Sequence, residues 1–279
     1  MEPPINELFS LSIQMKIKFV TYIIILLSIV SFVSAQPRER KMYVMCVGVG
    51  DYADPRIHDL TKPTCDADTV ASMFAKGDNE VMVLKDSMAT GDNVRRQMKA
   101  FFSQATQNDV IMFFFSGHGI KSGFCAHDYF QSYTGALWYD DIKKIFNGIK
   151  AHGKIIMADA CFSGKLRSKK DTVTAQSLRL AGKQQVMLFL SSRGEEVSYE
   201  SPSMTNGYFT TYLVEGLRGA ADVNNNGKVT AIELSNYVAS KLKVALGNQQ
   251  HSVMWGNFSK GWILAKVPQQ AVEEKEEDR

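Results

Sequence analysis

Two hydrophobic periods alternate along this chain from residue 41 onward. Short apolar runs at 43–49, 81–84, 110–115, 154–158 and 186–190 predict strands. Between them, apolar residues recurring every three or four positions predict helices over 66–74, 93–102, 140–149, 208–217 and 230–245. The run Val110-Ile111-Met112-Phe113-Phe114-Phe115 contains no polar position, the mark of a strand covered on both faces. Strands alternating with helices imply an α/β fold around a mainly parallel sheet. Between 165 and 185 the apolar period is lost and the chain turns polar and basic, so a long loop is expected there. Residues 269–279 are highly charged and are expected to form a disordered tail.

The N-terminus follows a different pattern. Lys16 and Lys18 precede an apolar run over 19–33, and Val33-Ser34-Ala35 closes it with a small residue at the expected cleavage point. That succession is the signature of a secretory signal peptide, so residues 1–35 are expected to be removed. The run of 15 residues falls short of the roughly 20 that span a bilayer, which favours this reading over an uncleaved anchor. Met15 offers a second start that gives a signal of ordinary length. The expected folded domain is therefore 36–268, secreted, periplasmic or on the cell surface, without stable membrane insertion.

Composition adds few constraints. With 279 residues, 45% hydrophobic and 22% charged, the chain can bury a sizeable core without staples. The net charge of +3 is unchanged by loss of 1–35, and no basic stripe with interleaved aromatics points to nucleic acid. Of the four cysteines, Cys46 lies in the first apolar run and reads as a small core residue. If Cys161 is a free thiol, at most one bridge can form among the others; Cys65 with Cys125 stays open.

Two buried runs end in reactive residues. The strand at 110–115 leads into Ser116-Gly117-His118-Gly119, and that at 154–158 into Asp159-Ala160-Cys161-Phe162-Ser163-Gly164. Sites in parallel sheets form at the carboxyl ends of strands, so adjacent strands would present His118 and Cys161 together. An imidazole beside a thiol prepares the thiolate, which is the nucleophile. The surrounding glycines leave room for a peptide backbone to approach. Alone, such a His is more often structural and such a Cys more often core filling; the pairing is what carries the signal. No spacing of His and Cys fits a zinc template.

These two motifs, in this order and 43 residues apart, resemble the catalytic motifs of caspase-like cysteine peptidases, most closely metacaspases and their bacterial relatives. The likeness extends over roughly 41–265. Asp-Ala before the cysteine is the metacaspase form, whereas Phe162 departs from the His that many metacaspases carry there. Leu60 with Asp66-Ala67 resembles the family's Asn-Asp-Ala element, and Ser191-Ser192-Arg193-Gly194-Glu195-Glu196 followed by Gly207-Tyr208-Phe209-Thr210 resembles a later conserved region of the family. The resemblance implies a caspase-like α/β/α sandwich and a cysteine endopeptidase with His118 as base and Cys161 as nucleophile. It further implies backbone N–H groups of Gly119 and Cys161 for the oxyanion, no third triad member, and Asp66 and Asp159 in the pocket for the residue before the scissile bond. Two carboxylates there select Arg or Lys. The competing reading of Asp66 is a plain helix cap.

Calcium enters as an expectation at two places. Asp222, Asn224, Asn226, Lys228 and Glu233 match the EF-hand loop template, with an ordinary Asn/Gly turn as the alternative. Asp140 and Asp141, with Asp128, resemble the pair that binds activating calcium in some metacaspases; an acidic helix start is the plainer reading. Lys165, Arg167, Lys169, Lys170, Arg179 and Lys183 make the 165–185 loop a candidate for self-cleavage. Two rival functions remain: a catalytically silent caspase-like binding module, and a nucleotide binder suggested by Gly48-x-Gly50-x-x-Ala53. The second is weakened by Asp54-Pro55, which interrupts the helix that should follow.

Overall fold

The computed structural model describes residues 14–22, 40–120, 123–130, 134–160, 185–193 and 196–268. The chain divides into two units, Met1–Glu39 and Arg40–Arg279. In the first, residues 14–22 are helical and exposed, with the Thr21 hydroxyl donating to the Ile17 carbonyl at 2.8 Å. No helix among the described residues is long and apolar enough to cross a membrane.

The second unit begins with β1 (Met42–Gly48), α1 (Pro63–Phe74), β2 (Glu80–Lys85), α2 (Gly91–Phe102) and β3 (Val110–Ser116). It continues through β4 (Gly119–Ile120), β5 (Gly123–Cys125), β6 (Ala136–Trp138), α3 (Tyr139–Gly148) and β7 (Gly153–Asp159). After β8 (Gln185–Leu190) come α4 (Tyr208–Glu215), β9 (Lys228–Thr230), α5 (Ala231–Leu246), β10 (Val253–Asn257) and β11 (Ile263–Lys266). Six strands form one sheet in the order β10-β8-β7-β3-β1-β2. All neighbours run parallel except β10, which pairs antiparallel with β8.

Side chains of a strand alternate between faces, and here both faces are covered. Along β3, Ile111, Phe113 and Phe115 pack with Val94 and Met98 of α2 and Ile142 and Phe146 of α3. Val110, Met112 and Phe114 pack on the other side with Val70 of α1, Leu213 of α4 and Val238 of α5. The result is the three-layer α/β/α architecture expected from the sequence. Lys154 is buried at the start of β7, where its ammonium donates to the Phe146 carbonyl at 2.6 Å near the end of α3. Burial lowers its pKa to about 8.

The long elements fall where the periodicity predicts, with shifted ends. Helix α1 starts at Pro63, three residues early, because proline's fixed φ suits the first turn of a helix. Helix α4 stops at Glu215 and passes into a wide turn containing Gly219 at φ 121°. The small β4-β5-β6 sheet, the β9–β11 pair and β10 carry no predictive pattern: each strand has two to five residues, too few to establish a period. The expectations for 269–279, and for the 165–185 loop up to the start of β8, fall outside the described residues. Cys46, Cys65 and Cys125 are free thiols. A Cys65–Cys125 bridge does not form, because Cys65 is exposed on α1 while Cys125 is buried in the core on the opposite face of the sheet.

Phe114 is wholly buried in the middle of the central strand. Phe114→Ala is expected to cost about 3–5 kcal/mol of stability, read as a lowered midpoint in urea with the slope unchanged.

Candidate active site

Register places the site. Gly48 at the end of β1, Ser116 at the end of β3 and Asp159 at the end of β7 lie side by side. Because these strands are parallel, their carboxyl ends open on one edge of the sheet. Ser116 donates to Asp66 Oδ2 at 2.7 Å, tying the end of β3 to the first turns of α1. Asp66 Oδ1 accepts from the Asn206 amide at 2.9 Å and the Gly207 N–H at 3.0 Å. Asp66 does not cap its helix: the N-cap is Lys62, which makes no side-chain cap bond.

Asp159 is held in the same way. Its Oδ2 accepts from the Thr210 N–H at 3.1 Å and the Thr210 hydroxyl at 2.7 Å, and its Oδ1 accepts from the Ser198 hydroxyl. Both carboxylates are almost fully buried and both flank Gly207, where a Cβ would stand 2.8 Å from Asp159 Oδ2 and 3.5 Å from Asp66 Oδ2. Burial, followed by the charge of Asp159, pushes the pKa of Asp66 up to about 7. Burial likewise raises that of Asp159, against the lowering by its hydrogen bonds. The two acids line a cleft of about 260 Å³ with Leu60, His118, Ala160 and Glu200.

His118 follows a backbone turn that only glycine accommodates. Gly117 has φ +150°, and a Cβ there would stand 3.0 Å from Tyr52 Oη and the Phe115 ring. The His118 N–H donates to Tyr52 Oη at 2.8 Å, and that hydroxyl donates to the Val49 carbonyl at 3.0 Å. The Tyr52 ring lies against the imidazole at 5.1 Å between centroids. His118 Nε2 meets the His58 carbonyl at 2.7 Å. A carbonyl only accepts, so Nε2 carries the hydrogen and, in the neutral ring, Nδ1 holds the basic lone pair. Nδ1 has no partner among the described residues.

Cys161 lies outside the described residues. The chain leads to it from Ala160, which lines the cleft and is clamped by the Ser191 hydroxyl, with Ala160 N to Ser191 Oγ at 3.0 Å. Gly119 opens β4 next to His118 and pairs with Phe124. The Gly48–Ala53 segment is not a phosphate cradle. Its Gly50 and Asp51 N–H groups both donate to Asp86 Oδ1, at 2.9 and 3.0 Å, which sets a negative charge where an anion would sit.

The calcium candidates separate. Asp128 Oδ1 accepts the Gly91 N–H at 2.7 Å at the start of α2, while Asp140 and Asp141 begin α3 and pair with Lys143 at 3.6 Å and Lys144 at 3.7 Å. In the 222–233 loop, Asp222 accepts the N–H groups of Asn226 and Gly227, and Asn226 Oδ1 that of Lys228. Glu233 forms a capping box with Thr230 and accepts the Asn224 amide at 2.6 Å. The sequence spacing follows the template, yet the side-chain oxygens of Asp222, Asn224, Asn226 and Glu233 each already accept from a protein donor. Among the described residues, no three His, Cys, Asp or Glu side chains gather in a way that could hold a metal.

Several site residues carry no signal that sequence reading weighed: Tyr52, the His58 carbonyl, Ser198, Glu200 and Asn206. Gly207 and Thr210 lie in a stretch that resembles a family motif, which leaves their role open.

A family model described as the caspase domain matches residues 41–263. No curated protein matches the sequence. Among solved structures, a protein of Geobacter sulfurreducens superposes with a TM-score of 0.61 at 16% identity, covering 82% of this chain and all of its own. Caspase-1 from Spodoptera frugiperda superposes with a TM-score of 0.61 at 13% identity, covering 82% of this chain and 93% of its own. At such identities the structural likeness is one of fold.

A carboxyl whose folded pKa is about 7 but whose unfolded value is about 3.8 binds its proton more tightly when folded, so folding loses stability as pH rises through that window. Asp66→Asn is therefore expected to raise the melting temperature at about pH 8, the gain shrinking towards pH 4. Calorimetry across this range checks it, and a gain that is flat with pH contradicts the sign.

Proposed function

This chain belongs to the caspase-domain family, and from that membership we propose that it is a secreted cysteine endopeptidase cleaving after Arg or Lys through His118 and Cys161. The observation that carries the specificity is the pair of buried carboxylates, Asp66 and Asp159, in one cleft with His118 and with Ala160, the neighbour of Cys161. Buried negative charge that is only partly offset by hydrogen bonds favours a cationic side chain.

In the proposed reaction His118 Nδ1 takes the Cys161 thiol proton and the sulfur attacks the carbonyl carbon of the scissile bond. The carbonyl oxygen becomes an oxyanion stabilised by the N–H groups of Gly119 and Cys161. Collapse breaks the C–N bond, and the leaving amine takes the proton from the imidazolium. Water then attacks the thioester while His118 accepts its proton, releasing the carboxylic acid and returning the thiol. The His58 carbonyl holds the ring in the tautomer these steps need, acting as a positioning group. Each proton in these steps passes between Cys161, His118, the leaving amine and water, so calcium enters the proposal only as a modulator.

The segment 1–35 is proposed to direct export, and the 165–185 loop to be cut by the enzyme itself. The silent-module alternative is separated by labelling Cys161 with a thiol-reactive peptide ending in Arg.

Fluorogenic peptides ending in Arg, Lys and Asp, each with and without calcium, test the reading. Hydrolysis of the first two and not the third is expected; cleavage after Asp alone overturns the specificity. Cys161→Ala and His118→Ala are each expected to lower kcat/KM by about 10³-fold or more. The Cys161→Ala protein should remain a single chain where wild type becomes two fragments; identical cutting in both refutes self-processing. Because Asp66 must lose its proton to pair with a cation, KM for Arg substrates should fall as pH rises from about 6 to about 8.

A further inference from the structure

A second cavity, of about 670 Å³, opens at the amino edge of the sheet, away from the candidate active site. Helix α1 starts at Pro63, against Gly48 at the carboxyl end of β1, and runs back to end at Phe74, near Met42 at the start of β1. Its volume lies in the range of small-molecule sites. The floor is apolar. Phe74, Leu217 and Leu264 are buried in it, and Met42, Met73 and Val267 pack half-buried or partly covered against the same core face. The walls are tied within the fold. Asn79 Nδ2 donates to the Phe74 carbonyl at 3.1 Å, and its Oδ1 accepts the Met42 N–H at 2.9 Å. On the other side the Val267 N–H donates to the Gly227 carbonyl at 3.0 Å. Gly219, at φ +121°, lets the turn after α4 pass close to Val267, where a Cβ would stand 3.5 Å from its methyl group.

Three cations, Lys76, Arg218 and Lys266, converge on this floor from chain-distant segments and are exposed. None makes an ion pair or a side-chain hydrogen bond among the described residues, and no Asp or Glu lines the cavity. Charge of one sign around a low-dielectric floor concentrates its field there and attracts an anion. The floor asks for an apolar body, so the two demands meet in one kind of ligand. We propose that this cavity binds a carboxylate of the fatty-acid kind, with its hydrocarbon on Phe74, Leu217 and Leu264 and its head group among Lys76, Arg218 and Lys266. The chain itself leaves the cavity at Pro268 and continues into an acidic segment, but Ala271 and Val272 are the only apolar side chains that segment brings. Two small side chains match the charge of the rim and not the extent of the floor. The inference is independent of the peptidase reading.

Calorimetric titration of the full-length chain with decanoate tests it. Decanol supplies the hydrocarbon without the charge, and acetate the charge without the hydrocarbon. A single decanoate per chain is expected, bound about tenfold or more tighter than decanol, with no measurable binding of acetate. Changing Lys76, Arg218 and Lys266 together to Gln alters only exposed side chains and should leave the melting temperature unchanged. That variant is expected to bind decanoate about tenfold more weakly and decanol as before. Decanoate bound equally by variant and wild type overturns the proposal, as does decanol bound by wild type as tightly as decanoate. A second full-length variant changes Glu273, Glu274, Glu276 and Glu277 to Gln. Its affinity for decanoate is expected to match wild type. A gain of about tenfold or more would mean that the acidic segment already occupies the cavity, and the assignment to a separate ligand falls. None of these readouts depends on hydrolysis, so failure here leaves the peptidase reading untouched.

Discussion

Burying two carboxylates beside one another is the constraint around which this domain is arranged. Each loses its hydration on burial, and each raises the cost of ionising the other. Donated hydrogen bonds answer that cost, and they come from the end of β3, the segment after β8 and the start of α4 with the turn before it. Three separate pieces of chain are thus drawn to the two acids. The parallel register that puts Ser116 beside Asp159 is what lets β3 supply one of those donors while the chain just beyond it carries His118.

The imidazole is positioned by the same economy of short, specific contacts. Gly117 turns the chain where no side chain fits, Tyr52 receives the backbone N–H of His118, and the His58 carbonyl selects the tautomer. None of these groups needs to react. They limit the orientations open to the ring, the kind of preorganisation that the proposed role of His118 as a base requires. The acid pair and the imidazole therefore share one edge of the sheet but are held differently: the acids by donors, the imidazole by confinement.

Much of this was legible in the chain. Val110 to Phe115 could only be a strand covered on both sides, and it is the centre of the sheet. The order of His118 and Cys161 after two such strands, with acids at 66 and 159, pointed to the caspase-like family. The sequence leaves Asp66 between a helix cap and a pocket wall, since an acid ahead of an apolar helical period looks the same in either case. The short strands between 119 and 138 were missed because two or three residues cannot display a period.

What the sequence determined by itself was the succession of strands and helices, the burial of both sheet faces and the motifs that mark the caspase-domain family, because each is written in neighbouring positions. Tertiary structure alone decided that Asp66 faces Ser116 and Asn206, 50 and 140 positions away, and that Glu200 joins it in one cleft. Hydrogen bonds between chain-distant loops leave no periodic trace. They exist only once the packing of the helices on the sheet has brought those loops to the same edge.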